Sequence, residues 1–493
     1  MDTARTPVIV GVGQVNDRTE DPDAALDPVA LMVAALREAD QDAGGGWMAA
    51  IDSLAVVQQI GWPQLNPVIE AVAAGLGAAP AYRFETAGPM GDSPIRLLDE
   101  AANRIAAGEA AVAAVVGGEA LRTASRRAAA GGDHAMRARH GERPRGYRQR
   151  YGLVAPVDLY PLYENACRAA WGQTLAEAQA ETGIIWAGLS QVAAANPHAW
   201  LRERRTPAEI VAPSAANRPL AFPYTKLMVA NAAVNQGAGF IVTSLAAARA
   251  RGIPDERLAF VGRGAAAHEP ADVLARDGFS TSAGMQVSLT ATFAANRIDA
   301  GEVDLVELYS CFPCIPKMAR RILGRPAEAP ASLVGGLTFG GGPIGNYMSH
   351  AVACAVERLR AGAQRALLFG NGGFATHNHS IVLTRAPLPG ADRPHDFDRQ
   401  EQADRLRGPV PPLDEGHVGP GVVETYTVFH DRDGTPGSGV VVARSPAGAR
   451  FLARVPARDT DTIAMLTDGK LEPVATRGRA LAGEDGLVDW RPA

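Results

Sequence analysis

The sequence predicts an α/β protein with a duplicated core and a small β-barrel at its C-terminal end. Three observations carry this. Apolar runs of strand length alternate with amphipathic helical stretches, the pattern of a largely parallel or mixed sheet covered by helices. Residues 91–119 and 342–373 follow one plan: a glycine-rich loop, a buried helix, an Ala-Gly turn, an apolar strand and a glycine pair, which we read as an internal duplication. Beyond about residue 408 the text changes to short β-branched runs separated by turn signals. At 493 residues the chain exceeds one ordinary core, and a prior of about 150 residues per domain allows roughly three units.

Taken in order, PVIVGVG (7–13) is a buried strand by its β-branched content. Asp27-Pro28 is a cap and first position for a helix whose apolar face is Met32, Ala35, Leu36 and Ala39. IDSLAVVQQ then reads as a strand and NPVIEAVAAGLG as a helix closed by glycine. In GDSPIRLLDEAANRIAAG, Asp92 or Ser93 is the cap, Pro94 the first helical residue, and Ile95, Leu98, Ala102 and Ile105 the buried stripe. Residues 120–222 are rich in arginine and poor in β-branched runs, and read as an insertion or lid over the core. Arg126, Arg127, Arg137, Arg139 and Arg143 stand there as phosphate binders or as solvated surface.

NQGAGFIVTS resumes the core with a glycine-opened turn into a buried strand, followed by a helix. The second half adds the strand LAFVGRGAA, a helix around Thr290 to Asn296, and VDLVELYSCFPC. GGLTFGGGPIGNYMSH (335–350) cannot be an ordinary helix or strand. A helix begins inside it, with Ala351, Val352, Ala355, Val356 and Leu359 at helical spacing, and free N–H groups at its start would favour an anion or a developing oxyanion. The division expected is 1–119 with 220–255, a lid at 120–219, a second half at 256–388, a linker at 389–408 and an OB-like barrel at 409–493.

Formal charge is −5 with both signs interspersed, so no basic stripe points to nucleic acid. No long uncharged apolar run or leader-like start appears, which gives the expectation of a cytoplasmic, non-membrane protein. Four cysteines are too few for a disulfide framework. Cys311-Phe-Pro-Cys314 has metal-pair spacing without a second pair, and His377 and His379 lack a third ligand, so no metal site is expected.

Four segments, in order, resemble the thiolase superfamily across residues 6–386: NAAVNQGAGFIVTS, VDLVELYSCF, GGLTFGGGP and LLFGNGG. The extra barrel and the wording GNGGFATHNHS are similar to a branch of bacterial thiolase-like proteins, acetyl-CoA acetyltransferase-like, that carry an additional C-terminal domain. The resemblance implies a thiolase fold, a five-layered αβαβα core, with residues 120–219 over a coenzyme A site. It also implies an acyl-CoA substrate or ligand, no permanently bound cofactor, and pairing into a homodimer through the core.

The thiolase catalytic positions fall at Gly91 for the nucleophilic cysteine, Gly342 for the histidine and about Phe369 for the second cysteine. All three side chains are missing. What remains is Ser93, as nucleophile or helix cap; Tyr309, at the oxyanion-motif position, as donor, acid/base or core aromatic; and Tyr347 and His350, in the first helical turns after GGGP, as proton-moving groups or core residues. Gly341, Gly342, Asn371, Gly372 and Asn231 are the expected binders of the oxyanion or CoA thioester. Three functions stay open: an acyltransferase lacking the cysteine relay, an aldolase or retro-aldolase on a CoA-thioester side chain, and a non-catalytic CoA- or lipid-binding protein.

Overall fold

The computed structural model describes residues 1–130, 146–483 and 485–493. In the first half the strand order is Tyr82–Glu85, Ser53–Val57, Val112–Ala120, Asn235–Ser244, Pro7–Asn16. The first three are parallel, and the fourth runs antiparallel to both of its neighbours. The second half repeats the arrangement: Leu305–Leu308 lies parallel to Arg365–Gly372, which pairs antiparallel with His377–Thr384. That strand in turn pairs antiparallel with Ala259–Val261 and Ala265–His268. The run read as one strand, LAFVGRGAA, is therefore broken in the middle. A short contact of Val8 with Phe260 and Ile9 with Ala259 joins the two sheet edges.

Two helices, Ser93–Ala107 and Tyr347–Arg360, lie between the halves and touch strands of both. Their apolar content follows from this: the second buries eleven of its fourteen residues, from Tyr347 to Leu359. Helices Pro28–Asp42 and Ile69–Leu76 cover the outer face of the first half, and Ala283–Asn296 that of the second, giving the five-layered thiolase architecture. Asp27 caps the first helix as expected, its Oδ1 accepting from Ala30 N at 2.8 Å. The glycine-rich stretch forms a buried π-helical turn, Gly336–Gly340, and a 3₁₀ turn, Ile344–Asn346, before its helix begins.

Strands Gly419–His430, Pro436–Arg444, Arg450–Val455, Arg477–Ala482 and Val488–Pro492 close into a barrel, because the first pairs with both the second and the fourth. The third and fifth are parallel, and helix Thr460–Thr467 connects the third to the fourth. This strand order, 1-2-3-5-4-1, is that of an OB fold. Its core is Val423, Tyr426, Val428, Val441, Phe451, Val455 and Trp490. The stretch read as a linker is not bare connection, since it holds helix Gln400–Leu406.

The barrel is seated on the core by polar anchors. Arg450, fully buried, donates from Nη1 to Leu274 O and Arg276 O, both at 2.6 Å, and its guanidinium grips Glu424 at 2.8 and 2.6 Å. From helix Pro156–Ala170, Asn165 donates to Tyr426 O at 3.0 Å, Leu162 O accepts from Thr425 Oγ1 at 2.6 Å, and Arg168 pairs with Glu472. A buried guanidinium is tolerated because carboxylate and carbonyls satisfy it.

Candidate active site at the paired helix starts

The two central helices begin side by side. A Cβ on Gly345 would lie 2.6 Å from Pro89 Cβ, so glycine is what lets the two loops touch. At Gly91 an added Cβ would lie 2.1 Å from Asn371 O and 2.3 Å from the Tyr309 hydroxyl. No side chain fits there. The glycines of GNGG serve the same crowding: a Cβ on Gly370 would meet Asp92 Cα at 2.8 Å, and one on Gly372 would meet Asp92 Oδ1 at 2.8 Å and Gly91 N at 2.9 Å. No acceptor among the described residues takes the N–H of Gly91 or Asp92, so two backbone donors at a helix start are free.

Tyr309 is 5% exposed, stands edge-on to Tyr347 at 5.9 Å between ring centroids, and makes no hydrogen bond through its hydroxyl to the described residues. Burial first, then Cys311 and Asp92, push its phenol well above the usual range, so it stays a protonated donor. Tyr347 is fully buried and donates to Glu307 Oε1 at 2.8 Å. Glu307, not singled out from sequence, accepts at Oε2 from Ser332 Oγ (2.8 Å), Leu333 N (2.6 Å) and Val334 N (3.3 Å), and so ties down the entry to the glycine-rich turn. Burial pushes its carboxyl up to about 7. Its only trace in the sequence is an acid inside the apolar run VDLVELY.

His350 points to the first half: its Nδ1 lies 2.9 Å from Gln14 Oε1, and no hydrogen bond links it to Tyr309, Asp92 or Glu307. Burial, then His198, press its imidazole down to about 3, so it is neutral. Ser93 Oγ accepts from Met90 N at 3.2 Å, closing the turn before the helix. Gly342 N donates to Asn231 O at 2.9 Å and Asn231 N to Leu337 O at 3.0 Å, so the N–H of Gly342 is spent within the loop. Gly341 has φ +105° and would strike Gln236 Oε1 with any side chain, at 2.1 Å. Gly372 sits at the Asp92 carboxylate, as described above. Asn371 lies on the opposite face of its strand, donating to Asn378 Oδ1 at 3.0 Å and His377 O at 3.1 Å. The structure thus brings Tyr309, Gly91, Asp92, Gly372 and the Asn371 carbonyl together, with Tyr347 behind Tyr309, and sets His350 and the Asn371 side chain apart.

Helix Pro156–Ala170 packs beside this place. Tyr160 stacks on Phe312 at 4.2 Å, donates to Gly373 O at 3.1 Å and accepts from Ala375 N at 2.9 Å. Tyr163 donates to Phe374 O at 3.0 Å and accepts from Arg276 Nη1 at 2.6 Å, while Arg276 Nη2 reaches Thr376 Oγ1 at 3.0 Å. Since Arg450 of the barrel holds the Arg276 carbonyl, the barrel, helix Pro156–Ala170 and the loop 373–376 form one connected set of hydrogen bonds.

All four cysteines are free and buried. Burial raises the thiols of Cys311 and Cys354 to about 12 and pushes those of Cys167 and Cys314 up as well, so none is a thiolate near neutral pH. Among the described residues no group of three His, Cys, Asp or Glu is placed to hold a metal ion. His379 Nε2 instead donates to the buried Asp99 carboxylate at 2.9 Å, and His377 stands edge-on to His268 at 4.6 Å. Of the lid arginines, Arg126 pairs with Glu20, and Arg127 binds Pro22 O at 2.8 Å and lies over Trp62 at 4.7 Å. Arg137, Arg139 and Arg143 lie outside the described residues. No helix among those residues is long and apolar enough to cross a membrane.

A core of two matching halves around two buried helices, with the site at their starts, defines a thiolase-like protein. The human mitochondrial 3-ketoacyl-CoA thiolase, solved alone and with CoA, matches 78% of this chain over 99% of its own (TM-score 0.59, 13% identity). A structure titled "Ltp2-ChsH2(DUF35) aldolase" matches 78% of this chain over 98% of its own (TM-score 0.58, 18% identity). The domain family described as "Thiolase-like protein type 1 additional C-terminal domain" matches residues 400–483. A monomeric SCP2-thiolase-like protein type 1 from Mycobacterium smegmatis matches over 100% of both chains, with TM-score 0.84 and 30% identity. The chain belongs to this SCP2-thiolase-like protein type 1 family. No curated protein matches it by sequence.

Proposed function

We propose that this protein binds a CoA thioester and makes or breaks the Cα–Cβ bond of its acyl chain without a cysteine relay, as an aldolase acting on 3-hydroxyacyl-CoA. One observation carries the reading: the Tyr309 hydroxyl occupies the space that a side chain on Gly91 would need. A covalent acyl-enzyme has no nucleophile at that point, and the four thiols are held protonated, which weakens the acyltransferase reading. In the cleavage direction the β-hydroxyl loses its proton, the Cα–Cβ bond breaks, and the electrons pass to a thioester enolate. Tyr309, kept neutral, donates to the enolate oxygen, with the free N–H groups of Gly91 and Asp92 beside it. Tyr347 and Glu307 position Tyr309 and the glycine-rich turn, His350 ties its helix to Gln14 of the first half, Ser93 closes the turn at Met90, and Asn231, Gly341 and Gly372 shape the approach of the thioester. The likeness of the core to a CoA-binding thiolase and to a structure titled an aldolase supports the substrate class.

The test is to incubate the protein with acyl-, 3-hydroxyacyl- and 3-ketoacyl-CoA and follow products by mass spectrometry, before and after thiol alkylation, beside Tyr309→Phe. The reading expects a shorter acyl-CoA and a carbonyl compound from the hydroxyacyl thioester, insensitive to alkylation and lost in Tyr309→Phe. CoA-dependent thiolysis of the ketoacyl thioester would instead establish an acyltransferase, and binding without product a non-catalytic CoA protein. The homodimer that the thiolase resemblance suggests stands against the monomer named for the M. smegmatis relative, and light scattering on the purified protein decides between them.

A further inference from the structure

Asp92 opens the first central helix, and its sequence context, Gly-Asp-Ser-Pro, is that of a helix cap. Its geometry is not. An N-cap residue ordinarily has extended dihedrals, as Asp27 does at φ −78°, ψ 171°. Asp92 has φ −86°, ψ −10°, and its side chain accepts no hydrogen bond from the helix. The residue is 3% exposed, and Oδ1 is buried without a hydrogen-bond partner among the described residues. Burying a carboxylate oxygen without a partner costs free energy, and such groups in a native fold are found at catalytic or ligand-binding positions.

Space has been kept for it. Gly372 would place a Cβ 2.8 Å from that oxygen, so only a glycine there leaves room for the carboxylate against the end of strand Arg365–Gly372. On its other side, through Gly91, stands the Tyr309 hydroxyl, itself without a protein partner among the described residues. Among the described residues, the ionisable groups that feel the Asp92 charge are Tyr309, at the end of strand Leu305–Leu308, and His268, which stands edge-on to His377.

We propose that the Asp92 carboxylate is the proton acceptor of this site, taking the β-hydroxyl proton of a 3-hydroxyacyl-CoA and returning it to the α-carbon. The proposal rests on the aldolase reading above and assigns its missing base. The balance closes on one proton: the O–H bond breaks to Asp92, its electrons form the carbonyl of the released fragment, and the Cα–Cβ electrons pass to the enolate that Tyr309 stabilises. Protonated Asp92 then donates to Cα, leaving a shortened acyl-CoA and the starting carboxylate. Because the same group serves Cα, the protein also exchanges the α-protons of a plain acyl-CoA with solvent.

The experiment compares the parent, Asp92→Asn and Asp92→Ala in two assays: cleavage of 3-hydroxyacyl-CoA, and uptake of deuterium at the α-carbon of acetyl-CoA by NMR. Thermal melts and acyl-CoA affinity are measured alongside. The expected result is a loss on the order of 10²-fold or more in both rates for Asp92→Asn. Melting and affinity stay near the parent values, and added formate partly restores Asp92→Ala, whose cavity admits a small carboxylate. Folded Asp92→Asn with rates within about threefold of the parent overturns the assignment of Asp92 alone. A parent that binds the thioesters but neither cleaves nor exchanges them overturns the aldolase reading and this proposal with it.

Discussion

The Tyr309 hydroxyl lies 2.3 Å from where a Cβ on Gly91 would stand, and Asn371 O lies 2.1 Å from the same point. One of these contacts is with the tip of a side chain and the other with a strand backbone. Gly91→Ala therefore cannot be absorbed by rotating Tyr309 alone, and the strand Arg365–Gly372 must shift. Overpacking of this kind costs about 1–3 kcal/mol. Gly91→Cys is expected to melt several degrees below the parent and to gain no thiolysis of 3-ketoacyl-CoA, as measured by differential scanning fluorimetry and thiol-ester release.

Tyr309→Phe removes only the hydroxyl, whose neighbours on the protein do not depend on it for hydrogen bonds. Stability is expected to stay within about 1 kcal/mol of the parent, while turnover falls by on the order of 10²-fold, the usual worth of one oxyanion donor. The parent's phenol is pushed above its ordinary value by burial, Cys311 and Asp92. It therefore remains a donor through pH 9, and the parent's rate shows no alkaline loss below that pH that is absent from Tyr309→Phe.

The alternation of strand and helix, the repeated plan and the β-branched tail make most of this fold legible in the sequence, because they report which faces are buried. The count from the Ala-Gly turn leads to Gly91 for the same reason. Asp92 was legible only as a cap: the letters Asp-Ser-Pro are the same whether the aspartate bonds to the helix or turns away from it, and only the dihedral ψ −10° separates the two. His350 looks catalytic by its place after GGGP, yet a helical residue there faces the first half, where Gln14 takes its Nδ1. Glu307 stayed hidden because its partners come from Ser332, Leu333 and Tyr347, brought together by the fold and not by spacing.

Glu307 should also show in the pH dependence of stability. Its folded pKa, raised to about 7, lies above the value near 4.3 of an exposed glutamate. The native state thus binds the proton more tightly than the unfolded chain, so the contribution is full below about pH 4.3 and is lost as pH rises through 7. The shift corresponds to about 4 kcal/mol across that window. Glu119, also raised to about 7 by burial, adds a similar slope. Urea midpoints of the parent are expected to fall between pH 5 and 7.5, and Glu307→Gln to fall less steeply; equal slopes would show that Glu307 titrates normally.

Arg450 links the barrel to the site loop, because the carbonyls it holds belong to Leu274 and Arg276, and Arg276 in turn fixes Tyr163 and Thr376. Arg450→Met keeps much of the side-chain volume but leaves two buried carbonyls without their donor and one of two guanidinium partners gone from Glu424, whose other is Arg444. Removing one partner from a buried ion pair costs about 3–5 kcal/mol. Hydrogen exchange on the full-length variant should then quicken at two separated places: the edge of the barrel around 424–452, and the loop 373–376 over the Tyr309 site. Faster exchange in the barrel with an unchanged site loop would mean that the barrel is seated on the core without steadying the chemistry beneath it.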